Sequence, residues 1–393
     1  MADENYIQSA EFAFTTEQQE LRTAVRRFCA DQSDEMTVRR LMESTPPFDQ
    51  KAWARLGSEL GVLGLSVPEN LDGSGGGIVD AAIVIEELGA ALFCGPVFGT
   101  LMLSIPALVA APDSPARTDI LGPLVAGTRT AAFAVPDRAG HLAADAVTVR
   151  ATGSGDTWTV CGSIERVVDA GAADDLIVAA TVPNGLALFA IDVDQSGVER
   201  TELSTLDMTR PQATVRFTDA PARPLAGPDE TTRVCQRALD VGAVLLAAEQ
   251  VGAAQHLLDL SVTYAKERLQ FGRPIGSFQA IKHRLADMLV DQEHARSAAY
   301  HGAWALQDGT DEPTTAASIA QATCSAAFTR IAADTVQVHG GTGFTWEHQT
   351  HLYFKRAFTD CALLGSPEEH RARIAELLLD TATAHEEIPV AIG

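Results

Sequence analysis

The chain has 393 residues, 46% of them apolar and 21% charged, which is ordinary globular usage and too long for one small core, so two or three packed units are expected. Twenty-nine Lys and Arg against 52 Asp and Glu leave a net charge of -23, which repels a phosphate backbone or an anionic membrane surface and excludes nucleic-acid binding. Cys29, Cys94, Cys161, Cys235, Cys324 and Cys361 include no CxxC pair and none has a His at ligand spacing, so neither a zinc site nor a disulfide framework is expected. They read as buried thiols of a reducing compartment, and the acidic start MADENYIQ lacks the basic flank and apolar run of a secretion signal. The expected location is the cytoplasm.

In chain order, Thr15 or Thr16 before Glu17 signals a helix start, and Leu21, Val25 and Phe28 continue at helical spacing. A second amphipathic piece runs near Trp53 to Leu60, a turn-rich crossing follows, and Ile78 to Gly89 resumes the helical pattern. Leu88 to Pro112 contains no charged residue and is long enough to cross a bilayer, but Gly95, Pro96, Gly99 and Pro106 break it. Two buried core helices joined at Gly95-Pro96 are expected there, with no membrane span. From Thr130 the texture becomes β-rich: AAFAV, AVTVRA, WTVCGS, DLIVAATV, LALFAIDV and ATVRF are short runs divided by Gly, Asp, Asn and Pro. Long helical patterns return over Val234 to Leu269, Phe278 to Leu306 and Thr314 to Val338. The expected organisation is a helical unit over 1–128, a β unit over 129–228 and a helical bundle over 229–393 that oligomerises through faces left apolar.

Two segments carry a binding signal. Arg268 stands at the end of a long helix with Phe271 and Gly272 just after it, so a planar guanidinium and a ring project beside a terminus where a diphosphate and an adenine fit; Gly272 also reads as the helix stop. Gln337, followed by His339 and the Gly340-Gly341-Thr342-Gly343 run, offers an amide and backbone N–H groups at a place where the chain can approach a cofactor without a Cβ intervening. Taken singly, each has a plain structural reading as a helix cap or a left-handed turn. His283, His339, His348 and His351 read first as hydrogen-bonded structural residues, and Trp346, Tyr353 and Phe354 as packing residues.

The order helical, β, helical, with YAKERLQFGRPIGSFQAIKHRLADM at 264–288, QVHGGTGF at 337–344, LGVLGLSVPE at 60–69, EELG at 86–89 and AAEQVGAAQ at 247–255, resembles the acyl-CoA dehydrogenase family over nearly the whole chain. The resemblance implies a mainly α fold with a barrel-like or sandwich middle β domain and a C-terminal four-helix bundle. It also implies FAD as cofactor and α,β-desaturation of an acyl-CoA thioester, with electron-transfer flavoprotein as a candidate oxidant. Carried over residue by residue, Arg268, Phe271, Gln337 and Gly341, with Gln270 as a weaker companion, hold the adenine-diphosphate end of the neighbouring subunit's FAD.

Desaturation needs a carboxylate to take the α-proton. The family's commonest base lies twenty residues after the Phe of the glycine motif; counted from Phe344 this position is Leu364. A second branch places its Glu on the long helix, at Gly242 here, and the Arg that steadies acyl-CoA three residues beyond Asp240 is Ala243. Asp240 therefore reads as a helix residue and not as a base. Where relatives carry flavin-contacting T-E-P-x-A-G-S and W-I-T-N runs, this chain has Val135 to His141 and Arg166 to Asp169, without the hydroxyls in register. These losses leave no catalytic residue and fall on the substrate and flavin-ring half, while the adenine half is whole. They resemble a non-catalytic subunit of the actinobacterial α2β2 enzymes acting on steroid-CoA thioesters, which implies a catalytic paralogue as partner. Two alternatives stay open: an active homotetramer with a relocated base among Glu249, Asp360, Glu368 and Glu369, and an FAD-free assembly protein. On a continuing helix, Asp360 would share the face of Leu364 one turn away.

Overall fold

The computed structural model describes residues 14–309 and 312–380. The acidic start at residues 1–8 and the outer ends of the 1–128 and 229–393 units lie outside the described residues. Six helices come first: α1 (Thr16–Gln32), α2 (Glu35–Leu41), α3 (Gln50–Ser58), α4 (Ile78–Ala90), α5 (Ile105–Ala110) and α6 (Pro115–Val125). Helix α1 starts from Thr15, whose hydroxyl accepts from the Gln18 N–H while the Gln18 side chain accepts from the Thr15 N–H, a reciprocal cap on two otherwise orphaned donors.

The uncharged Leu88–Pro112 stretch is core. Helix α4 stops at Ala90, the chain turns through Gly95-Pro96, and a π-helical segment, Val97–Ser104, runs on into α5 with every residue from Val97 to Leu108 buried. The 40-residue helix that follows the β unit also has the length and apolarity of a membrane span, and 89% of its 18-residue apolar stretch is buried inside the protein.

The middle unit contains β1 (Ala131–Ala134), β2 (Asp137–Arg138), β3 (His141–Leu142), β4 (Arg150–Ser154), β5 (Thr157–Val168), β6 (Asp175–Val182), β7 (Gly185–Asp192), β8 (Val198–Leu203) and β9 (Gln212–Ala226). Strands pair in the order β6-β4-β5-β9-β7, and β7 pairs back to β6, which closes a barrel; β1 lies parallel to β6 in register Ala131 with Asp175, and β8 hangs from β9. Alternation sorts the two faces. Ala132, Ala134, Leu176 and Val178 enter the barrel core with Phe189 and Phe217, while Ala131, Phe133, Ile177 and Ala179 join the helical core. Strand β6 is thus buried on both sides, as its unbroken apolar run requires. Strand β8, VERTEL, is a polar edge strand that hydropathy alone does not mark.

The last third holds α7 (Pro228–Glu267), β10 (Leu269–Gln270), β11 (Arg273–Pro274), α8 (Gln279–Asp308), α9 (Pro313–His339), α10 (Thr350–Ala362) and α11 (Pro367–Ala375). Helix α7 is about 60 Å long by the helical rise and passes through the middle of the molecule. It crosses α4 with the backbones touching: a Cβ placed on Gly252 would lie 1.8 Å from the Glu86 carbonyl oxygen, and one on Gly89 would lie 2.4 Å from that of Glu249. Among the cysteines, Cys29, Cys94, Cys235 and Cys324 are buried as expected, but Cys161 is exposed on a β5 bulge and Cys361 is half-buried.

Candidate functional site

The residues expected to meet an adenine-diphosphate lie at one end of the bundle. Arg268 caps α7, its N–H donating to the Tyr264 carbonyl at 2.8 Å. The helix stop is this cap and not Gly272. Phe271 (φ +53°) and Gly272 (φ +75°) form the two-residue tip of the β10–β11 hairpin, where positive φ at both central positions matches the twist of the paired strands. Phe271 is 90% exposed, with Phe278 edge-on at 6.1 Å. Gln270 is exposed on β10, Gln337 is exposed in the last turn of α9, and Gly341 lies in the 3-10 turn Gly340–Phe344 with nothing within 4 Å of the point a Cβ would take. The hairpin and the glycine turn are brought together by Tyr264 and His339, whose rings stack at 4.3 Å. His339 is buried, with Nδ1 2.8 Å from the Thr335 carbonyl oxygen, a structural arrangement; Trp346 is half-exposed beneath Lys355 and is not a core residue.

The two positions at which the family resemblance places a base converge. A Cβ built on Gly242 would lie 3.4 Å from Leu364 Cδ1 and 2.4 Å from Leu103 Cδ2, so both positions open on one spot, and that spot is filled by leucine side chains. Leu364 takes φ +57° just beyond the end of α10, held by the buried His370, whose Nε2 is 2.7 Å from the Leu364 carbonyl oxygen. Asp240, two residues before Gly242, is buried and accepts from Gln236 Nε2 and Thr314 Oγ1, both at 2.9 Å.

Glu249 and Asp360 belong to a different site. Because α10 ends at Ala362, Asp360 does not share the face of Leu364; it points into a buried cluster with Asp207, Arg210, Glu249 and Arg356. Glu249 Oε1 accepts from both guanidiniums, and Arg356 also donates to Asp207 Oδ2 at 2.6 Å and Thr209 Oγ1 at 2.6 Å. Burial alone would raise Glu249, but Arg210 and Arg356 outweigh it and hold the carboxyl below its ordinary value. Asp360 has no hydrogen-bond partner for either oxygen, and burial reinforced by Glu249 and Asp207 pushes it up to about 8. Neither carboxylate is free to serve a substrate. Glu368 and Glu369 open α11, where Glu369 closes a capping box with Ser366.

Motif reading of the sequence misses Arg210, Arg356 and Asp207, which meet only in space. It also misses Arg373, although a helical period places His370 and Arg373 on the same inner stripe of α11 as Pro367, and polar residues on a buried stripe are a usable signal.

The two ends of the expected FAD site differ in this chain. The exposed Arg268, Phe271, Gln337 and the bare Gly340–Gly341 backbone leave room and donors for a diphosphate and adenine. At the other end, the stretch Val135–His141, whose counterpart in the family is implied to lie against the flavin ring, is in direct contact with the segment after Leu364: a Cβ on Gly365 would lie 2.5 Å from Ala139 Cα. Asp169 is likewise turned inward, its carboxylate accepting from the Gly99 N–H at 2.8 Å and raised to about 6 by burial. These two segments leave no gap between them at Gly365 and Ala139.

Two family models match, Acyl-CoA dehydrogenase, N-terminal domain, over residues 15–128 and Acyl-CoA dehydrogenase, C-terminal domain, over residues 232–379. The acyl-CoA dehydrogenase IpdE2 of Mycobacterium tuberculosis is 37% identical over 91% of this chain and 96% of its own length. Among solved structures, a variant of the Tcur3481-Tcur3483 steroid ACAD matches with a TM-score of 0.84 at 28% identity, covering 93% of this chain and 99% of that one. The ChsE4-ChsE5 complex of Mycobacterium tuberculosis matches with a TM-score of 0.83 at 28% identity over 93% of this chain and 98% of its own. Both the family models and this fold of helical, barrel and bundle units lead to one assignment: the chain belongs to the acyl-CoA dehydrogenase family, FAD-dependent oxidoreductases acting on CH–CH bonds.

Proposed function

We propose that this chain is the non-catalytic subunit of a heterotetrameric acyl-CoA dehydrogenase, and that it completes the FAD site of a catalytic paralogue with Arg268, Gln270, Phe271, Gln337 and Gly341. The observation that carries this reading is the convergence of Leu364, Gly242 and Leu103 on the place where a base belongs, since three apolar groups cannot accept a proton. FAD supplies hydride acceptance when bound. The residues here would orient its distal end, Arg268 by a charge-assisted bond to the diphosphate and the Gly340–Gly341 backbone by close approach. The ChsE4-ChsE5 structure, a complex by name, and the steroid ACAD support a paired assembly acting on a bulky or steroid-derived acyl-CoA, with self-association and electron-transfer flavoprotein docking as outcomes to be separated.

The test is flavin absorbance and native mass of the chain alone and co-expressed with a paralogue that retains the glutamate. A colourless lone chain that forms a yellow tetramer with one FAD for every two chains is the expected result. A yellow homotetramer with one FAD per chain overturns the proposal.

A further inference from the structure

A cleft of about 360 Å³ opens between α4, α5 and the N-terminal half of α7. Its apolar walls are Ile78 of α4, Pro106, Val109 and Ala110 of α5 and Val241 of α7. On α7, Arg233, Arg237 and Val241 recur every fourth residue and share a stripe. Val241 is a step of about 100° round the helix from Gly242, so this cleft is distinct from the leucine-filled spot at Leu364.

The polar groups of the lining are few and differ in their partners. Arg233, at the exposed rim, is neutralised by Glu230, to which its Nε donates at 3.0 Å, and its Nη2 donates to the Ala110 carbonyl at 3.1 Å. Arg237 has no such counter-ion. It is half-buried, and among the described residues its only hydrogen bond runs from Nη2 to the Leu306 carbonyl in the last turn of α8, at 3.1 Å, with no carboxylate at ion-pair distance. Nε and Nη1 have no acceptor, and burial lowers the group's proton affinity against the opposing pull of Asp240. Ser66, also half-buried, carries a hydroxyl that makes no hydrogen bond among the described residues.

The bond to Leu306 is ordinary helix C-terminal capping and occupies one of the five N–H groups of the guanidinium. Capping does not call for an apolar cleft beside the remaining donors, where a desolvated cation is costly unless it meets an anion. Charge fixes the class of that anion: Arg233 is already compensated, which leaves one positive charge in excess, and a planar guanidinium pairs best with a carboxylate. Volume fixes its size. At about 30 Å³ per water the cleft has room for about twelve waters, or for an organic acid of about ten non-hydrogen atoms, far less than a CoA thioester.

We propose that this cleft is a binding site for a free apolar monocarboxylate, its carboxylate held by the unused donors of Arg237 with Ser66 and its hydrocarbon body lying against α4, α5 and α7. The site belongs to this chain alone and stands whether or not the chain pairs with a paralogue.

The experiment uses the full chain with octanoate as probe, read by titration calorimetry and by thermal melting. Wild type is expected to bind one octanoate per chain and to melt higher in its presence, while octanol and octylammonium, which do not answer the charge, bind at least about tenfold more weakly. The net charge of -23 repels carboxylates in general, so a bound one reports the local cation. Arg237→Gln keeps a donor for the Leu306 carbonyl and is expected to bind octanoate at least about tenfold more weakly; a purely capping arginine would lower the melting temperature on substitution and leave the affinity unchanged. Ala110→Leu leaves Arg237 in place and fills the cleft; it is expected to fold and to abolish binding, and it decides the matter if the glutamine variant does not fold. No octanoate bound by wild type at millimolar concentration, octanol bound as well as octanoate, or undiminished binding by either folded variant overturns the proposal.

Discussion

Glu249→Gln is the substitution whose effect the structure defines most sharply. One oxygen, Oε1, accepts from Arg210 Nη2 and from Arg356 Nη1, and all three side chains are 4% exposed. With Asp360 protonated below its value of about 8, Arg210 and Arg356 face two hydrogen-bonded anions near pH 7, Asp207 and Glu249, while Asp169, ionised above about 6, adds a third carboxylate within their field. Glutamine keeps the shape but removes the anion shared by both guanidiniums, leaving Arg210 without a hydrogen-bonded carboxylate. Breaking a buried pair on one side costs about 3–5 kcal/mol. Part is recovered because Asp360, 3.4 Å from Arg210 and relieved of its repulsion with Glu249, can then ionise. A net loss near the lower end, about 3 kcal/mol, translates into a melting temperature about 4 °C lower for a chain of this size. The assay is thermal unfolding followed by circular dichroism at pH 7 for Glu249→Gln, Asp360→Asn and the double variant. The double variant should lose more than the two singles together, by at least about 0.5 kcal/mol, because the compensating carboxylate is gone. Melting of Glu249→Gln within a degree of wild type, or strict additivity in the cycle, would refute the shared-carboxylate account.

Three further outcomes follow from the same packing. Asp360 is raised in the folded state to about 8 from an unfolded value near 4, so the folded chain binds the extra proton; its contribution to stability is undiminished below about pH 4 and declines as pH rises towards 8, and Asp360→Asn should flatten that part of a pH–stability curve measured by urea titration. Gly252→Ala places a methyl 1.8 Å from the Glu86 carbonyl, which backbone cannot yield cheaply, so α4 and α7 must separate and the chain should lose about 2–3 kcal/mol in the same titration; an unchanged midpoint would contradict the touching-backbone crossing. Arg268→Ala should leave folding intact, the residue being exposed, while lowering FAD retained by the co-expressed complex at least tenfold in a dilution assay.

The order of units and the long helices are legible in the sequence because their signals are local: the helical spacing of Val234–Glu267, the capping residues around Thr15 and the alternation that splits β1 between two cores all act within a few residues. Strand β8 is not legible, because a polar edge strand takes its shape from the ladder of β9 and not from its own side chains. The motif positions at 268–271 and 337–341 can be picked out for the same local reason. The meeting of Leu364, Gly242 and Leu103 cannot, since it depends on how α7 passes the Val97–Ser104 turn, and Gly272 is misread because a two-residue hairpin, a tertiary detail, intervenes after the helix. Asp360 is misplaced for a related reason: the helix that would carry it round to Leu364 ends at Ala362.

The central position of α7 bears on the order in which the molecule can be made. The core that encloses Val25, Trp53, Ile83 and Leu124 also contains Val234, Leu245 and Val251 of α7, Tyr300, Cys324 and Leu364, so the first helices have no complete interior until residue 364 has been synthesised. The barrel in between can close once β9 is out, earlier in synthesis, because its inner cluster draws only on residues 132–222. A ribosome therefore releases a finished barrel flanked by helices still waiting for their centre, and a fragment ending before Pro228 should yield a protease-resistant barrel with an unprotected N-terminal arm.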